Sequence, residues 1–185
     1  MDFRSRVLAA ATILANGQLS PVKVTHSTEG ERGWAYVQLA KQLGARYCEC
    51  TMDNFVPPDA AAASAAEQLR DFARDMPARL TDGGGVTLFG KPGTGKDHLL
   101  VALMFEAIVT HGFSVAWVNG LDLYASMRQR IQDDKSEESL IRAYQKPLIL
   151  VISDPLPAKG DTSEYQASTL YRIIDRRYRD MKSTW

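Results

Sequence analysis

The chain has 185 residues, 45% hydrophobic and 24% charged, enough for one domain with a substantial core or one domain plus an appendage. Lys+Arg 22 and Asp+Glu 22 cancel to zero net charge, which excludes a bulk electrostatic pull on nucleic acid and leaves only local patches for that role. No apolar run approaches the roughly 20 residues of a membrane span, and Cys48 and Cys50 form a single C-x-C without the further ligands zinc requires, so reduced thiols in a cytoplasmic protein are expected.

Arg4 and Arg6 precede an apolar run over residues 7–15, a loose imitation of an export signal. Asp2, Thr12 and the lack of a small-x-small cleavage site point instead to a buried helix over 3–15. Residues 16–33 are polar, with Gly and Pro, and read as loop. Trp34, Val37, Leu39, Ala40 and Leu43 then repeat at helical spacing up to Gly44, so residues 1–46 are expected to form a small helical attachment segment. Residues 51–58 are irregular. A helix over 60–76, with Ala65, Leu69, Phe72 and Met76 on one stripe, is expected to close at Pro77. Residues 86–89 read as a short buried strand and 98–110 as an apolar helix. A second strand over 113–118, a helix over 121–131, a solvated charged turn over 133–138 and a short helix over 139–145 follow. A third, wholly apolar strand covers 148–152 and a last helix 163–180, with Asp161 and Glu164 at capping-box spacing. Strands alternating with helices argue for an α/β fold with a parallel sheet and flanking helices.

Between the first strand and its helix lies Gly90-Lys91-Pro92-Gly93-Thr94-Gly95-Lys96-Asp97, the phosphate-binding pattern G-x-x-x-x-G-K-[ST] with Asp in the last place. Such a loop turns successive backbone N–H groups toward phosphate oxygens, Lys96 reaches the β- and γ-phosphates, and the following helix aims its positive end at them. A bound ATP with Mg²⁺ is therefore expected. His98 opens the helix beside the loop, where helix packing or capping is its competing use. A P-loop enzyme also needs an acid at the end of a neighbouring buried strand. Here that end is Ser153-Asp154, with Ser153 where the first of two acids would stand. The loop has exchanged a hydroxyl for the carboxylate of Asp97, and the strand end a carboxylate for the hydroxyl of Ser153. Two readings remain open: a compensated exchange that keeps one carboxylate–hydroxyl pair at the metal, or a decayed site that does not turn over.

These blocks together resemble the DnaC/IstB-type AAA+ ATPases, bacterial helicase loaders and transposition helpers, over residues 46–185. Arg46-Tyr47 with Thr51-Met52-Asp53-Asn54-Phe55 is similar to the segment before that family's first helix, and the loop through Leu99 to its G-x-x-G-T-G-K-T-H-L. Gly112-Phe113-Ser114-Val115, the strand ending at Asp154, and the helix block from Tyr171 to Tyr178 also fit. The resemblance implies a P-loop NTPase fold of AAA+ type over 47–185, ATP bound between subunits of a homo-oligomer, and a replicative helicase or transposase and single-stranded DNA as partners. It assigns Lys96 to the phosphates, Asp154 to the catalytic acid, Asp97, Ser153 and Asp154 to the metal, and Asp53, Asn54 and Phe55 loosely to the adenine side. The family's sensor and finger arginines would lie past Trp185, so the expected fold is C-terminally incomplete and ATP hydrolysis by this chain alone is expected to be poor. Arg172, Arg176 and Arg179 read as a phosphate-tracking stripe for single-stranded DNA, as a subunit contact or as a solvated face. A small-molecule kinase is the rival class, and residues 156–162 are too short for its substrate lid.

Overall fold

A computed structural model describes residues 28–156 and 161–185; the helix expected over 3–15 lies outside them. The chain forms two compact units. The first holds the described residues up to Pro77 together with Leu88–Ser114, and the second holds Ala78–Thr87 and Val115–Trp185.

In the first unit, helix α1 spans Glu29–Leu43. It starts inside the stretch expected to be loop, because Thr28 and Glu31 form a capping box that satisfies its first amides. It stops at Gly44, whose φ of 84° turns the chain out of the helix. Helix α2, Ala60–Arg74, is capped by the Asp59 side chain and buries Ala66, Leu69 and Phe72. It breaks at Asp75 rather than running to Met76. Pro77 then sits in the first turn of a short helix α3, Met76–Thr81, where its missing N–H is no loss. Helix α4, Lys96–Val109, buries nine side chains from Leu99 to Ile108, and α1 and α2 both pack on it. The Tyr36 and Phe105 rings meet at 4.4 Å in that contact. Arg32 donates to the Thr110 carbonyl at 3.2 Å, placing a cation at the negative end of α4.

The second unit holds a parallel three-stranded sheet in the order β1-β2-β3. The elements run β1 Val115–Asn119, α5 Gly120–Gln132, α6 Glu138–Gln145, β2 Ile149–Ser153, α7 Glu164–Arg179 and β3 Ser183–Thr184. Strand β2 is buried along its whole length, as its unbroken apolar sequence requires. Leu123, Met127, Ile141, Leu150 and Ile173 meet in the core. The capping box of α7 is Ser163 with Gln166, not Asp161 with Glu164.

Residues 86–89 do not form the expected strand, and Phe89 is 92% exposed. A strand needs a partner along its length. Gly84 and Gly85 do run against β3: Ser183 donates to the Gly84 carbonyl, and a Cβ at Gly85 would collide with the Thr184 carbonyl. Val86 and Thr87 form no ladder with β3, which spans Ser183–Thr184.

Candidate nucleotide site

The loop from Gly90 to Gly95 has the backbone its sequence demands. Gly95 is left-handed, with φ 86° and ψ 19°, and serves as the N-cap of α4 without any side-chain cap bond. The first amides of that helix are thus left to an anion. Gly95 is also required sterically, because a Cβ there would run into the Phe55 ring. Thr94 Oγ1 donates to the Lys91 carbonyl at 2.9 Å and tightens the loop. Lys96 Nζ donates to the carbonyls of Gly90 at 3.1 Å and Lys91 at 3.0 Å, which holds the ammonium across the loop. Pro92 and Gly93 form its exposed tip.

Asp97, in the first turn of α4, accepts from the Tyr47 hydroxyl, Oη to Oδ2, across a long 3.4 Å. Burial first, and the Asp97 carboxylate second, push the Tyr47 hydroxyl above its ordinary pKa. His98 Nε2 stands 3.0 Å from the Thr51 carbonyl, the geometry of a protonated Nε2 that donates. Its ring lies 5.3 Å from that of Phe55. His98 is therefore engaged in packing the segment 51–55 onto the loop. Phe55 is 8% exposed and committed to the same contact. Asn54 ties the segment to itself, accepting from Thr51 N at 2.9 Å and donating to the Glu49 carbonyl at 2.6 Å, while Asp53 is exposed. The structure thus gathers Phe55, Gly95, Asp97 and His98 in one place. Sequence reasoning gave Tyr47 no role; only its place at the head of the segment pointed toward it.

In the second unit, Ser153 ends β2, is 4% exposed and pairs in register with Asn119 of β1. Asp154 follows with φ 47°, an uncommon left-handed turn for a non-glycine residue, and its side chain is exposed. Two neighbours pin that turn. A Cβ at Gly120 would collide with the Asp154 carbonyl, so only glycine allows the approach. The Tyr124 hydroxyl donates to the Pro155 carbonyl at 2.8 Å. Asp154 is thereby presented at the carboxyl end of the central strand, where ligands of open α/β sheets sit.

The arginines of α7 are occupied. Arg172 pairs with Glu137 at 3.3 Å, Arg176 with Glu138 at 2.7 Å, and Arg179 with Asp175. Arg176 foremost, then Arg142, holds the Glu138 carboxyl down at about 2. The turn expected to be only solvated thus anchors α7. The Tyr165 hydroxyl donates to Glu137 at 2.6 Å, whereas Tyr171 is 69% exposed. Among the described residues no group of three or more His, Cys, Asp or Glu could hold a metal by itself, Cys48 and Cys50 are free thiols, and no helix is long and apolar enough to cross a membrane.

Residues 77–184 match the family of IstB-like ATP binding proteins. The chain belongs to that family. It is 33% identical over 93 residues to the insertion sequence IS5376 putative ATP-binding protein of Geobacillus stearothermophilus, covering 50% of this chain and 36% of that one. It is 26% identical over 136 residues to the replicative helicase loader DnaC of Escherichia coli strain K12, covering 73% of this chain and 53% of the loader. The chain thus spans about a third to a half of these relatives' lengths. The crystal structure of the DnaC helicase loader superposes with a TM-score of 0.65 at 25% identity, over 76% of this chain and 77% of that one. AMPPCP-bound DnaA from Aquifex aeolicus gives 0.56 at 22% identity over 77% of this chain and 41% of its own, a likeness of fold alone. This IstB-like protein therefore has the α/β, parallel-sheet fold of the AAA+ P-loop proteins.

Proposed function

We propose that this IstB-like protein is an ATP-binding AAA+ protein of the helicase-loader type, whose nucleotide state controls its grip on a replicative helicase and on single-stranded DNA. The observation that carries it is the P-loop itself: a left-handed Gly95 opening an uncapped α4, with the Lys96 ammonium held across the loop. The similarity to DnaC over 73% of the chain supports the loader role. The loop amides and Lys96 bind the phosphates. Asp53 and Asn54 flank the adenine side, while Phe55 supports the loop from behind. The carboxylates of Asp97 and Asp154 are hard oxygen donors suited to Mg²⁺, which when bound neutralises charge on the phosphates. Asp154, on the resemblance, orients the attacking water, and Asp97 and Ser153 carry the carboxylate and the hydroxyl whose places are exchanged. Residues 1–46 supply the partner contact, and the protein works in the cytoplasm as a homo-oligomer. The ion-paired arginines of α7 favour a structural use over a DNA stripe.

A transposition helper is the second reading, favoured by the family match over 77–184 and by the IS5376 relative. The deciding experiment immobilises the chain and offers the replicative helicase and the IS21-type transposase in turn, with ATP or ADP. ATP-dependent retention of helicase supports the first reading. Retention of transposase alone selects the second, and nucleotide-independent indifference to both sinks the pair.

A further inference from the structure

A P-loop ordinarily carries a small hydroxyl where this chain has Asp97. The carboxylate there meets a tyrosine hydroxyl. Tyr47, fifty positions upstream, donates its hydroxyl to Asp97 Oδ2 at 3.4 Å, one of the contacts Asp97 makes. The tyrosine is delivered by a segment that is fixed independently. Its own N–H donates to the Gly44 carbonyl at 3.1 Å, and Cys50 N–H donates to the Tyr47 carbonyl at 3.1 Å. The Tyr36 hydroxyl holds the Cys48 carbonyl at 2.8 Å. Further on, Thr51 meets His98 and Phe55 meets Gly95. One segment therefore touches positions 95, 97 and 98 in turn, and Tyr47 is its contact with the anomalous residue.

A carboxylate in the first turn of this helix competes with phosphate for the same helix N-terminus and repels it at short range. A divalent cation on the phosphates offsets that repulsion, because the carboxylate then faces the metal as well as the phosphate oxygens, although the complex as a whole stays anionic. We propose that Tyr47 is a specificity-determining residue of the nucleotide site: by anchoring Asp97 it sets the preference for metal-complexed over metal-free nucleotide. The proposal rests on the P-loop reading given above.

The test is calorimetric titration of the 185-residue chain with ATP in excess Mg²⁺ and with ATP in EDTA. It uses the wild type, Tyr47→Phe, Asp97→Asn and the double variant, with thermal unfolding run on each. The readout is the ratio of the two dissociation constants. Asp97→Asn shrinks the ratio by on the order of 10-fold or more, chiefly by tightening metal-free binding. Tyr47→Phe removes one of the contacts that position the carboxylate, weakens metal-free binding by about 3-fold and raises the ratio. In the Asp97→Asn background the same change is silent. A Tyr47→Phe effect of equal size in both backgrounds, or none in either, overturns the proposal. A ratio unmoved by Asp97→Asn overturns it too and leaves the nucleotide reading standing. A wild type that binds neither form ends both.

Discussion

Replacing Arg177 with Met tests what ties the sheet to its last helix. Arg177 is 0% exposed, yet every donor of its guanidinium is used. Nε reaches Thr184 Oγ1 at 3.0 Å, Nη1 the carbonyls of Tyr144 at 2.8 Å and Pro147 at 2.9 Å, and Nη2 the carbonyls of Leu148 at 3.0 Å and of Ser183. One side chain thereby joins the end of α6, the entrance of β2 and both residues of β3. Burial pushes its pKa down to about 10, so at neutral pH it remains a cation. In the Met variant the Leu148 carbonyl keeps the Ser183 amide as a partner at 3.0 Å. The Ser183 carbonyl likewise keeps the Leu150 amide of the parallel β2–β3 ladder. The part-buried Tyr144 and Pro147 carbonyls are the acceptors that lose the guanidinium, at about 1–3 kcal/mol each. Removing a buried charge returns part of that, so the net loss is about 2–3 kcal/mol, still a sizeable share of a typical domain's stability. Urea unfolding followed by tryptophan fluorescence reads it directly. Trp185 is 6% exposed and its indole donates to Ser183 Oγ at 2.7 Å, so it reports on β3. The midpoint should fall by about 1–2 M with an unchanged slope. Arg177→Lys should recover little, because an ammonium cannot span acceptors on three elements at once. A Met variant within about 1 kcal/mol of wild type would refute the tie.

Gly95→Ala must adopt a φ of 86° and displace the Phe55 ring, and should lose about 2 kcal/mol of stability together with ATP affinity, measured by thermal shift with and without nucleotide. Equal melting of both proteins would contradict the packing described. Arg176→Gln should melt lower than wild type at neutral pH. Glu138 titrates at about 2 in the fold against an ordinary 4.5, so its contribution is complete above 4.5 and is lost as the pH falls through about 2. The gap between the two melting temperatures should therefore close across that window; a gap independent of pH would assign the effect elsewhere. On the exchange reading proposed above, Asp97→Thr and Ser153→Asp singly should each lower ATP turnover, and together restore it. An Asp97→Thr variant that gains turnover by itself would favour the decayed-site reading.

The parts of the fold legible in the sequence are those that local physics decides. The period of α4 and the unbroken apolar run of β2 left little choice, and the glycines around Lys96 specify a loop that few other sequences could make. The parts that were not legible depend on distant partners. Residues 86–89 have strand-forming composition but lack a ladder to join. Arg177 reads as one more basic residue in an Arg-rich helix until the carbonyls of α6, β2 and β3 converge on it. Glu137 and Glu138 read as solvated charge until α7 folds over them. The capping box at Thr28 and Glu31 was a local signal that could have been found, since serine or threonine three residues before glutamate is its sequence signature. At the site, Lys96 and the loop were legible from the motif, whereas the contact of Tyr47 with Asp97 depends on a fold that brings positions fifty apart together.

Calorimetric titration of the wild type and of Lys96→Ala with ATP and Mg²⁺ tests the nucleotide site most directly. One ATP per chain should bind to the wild type, and binding should be lost in the variant, because Lys96 is the one cation of the loop held between the Gly90 and Lys91 carbonyls. Absence of binding to the wild type, or equal affinity in Lys96→Ala, would contradict it.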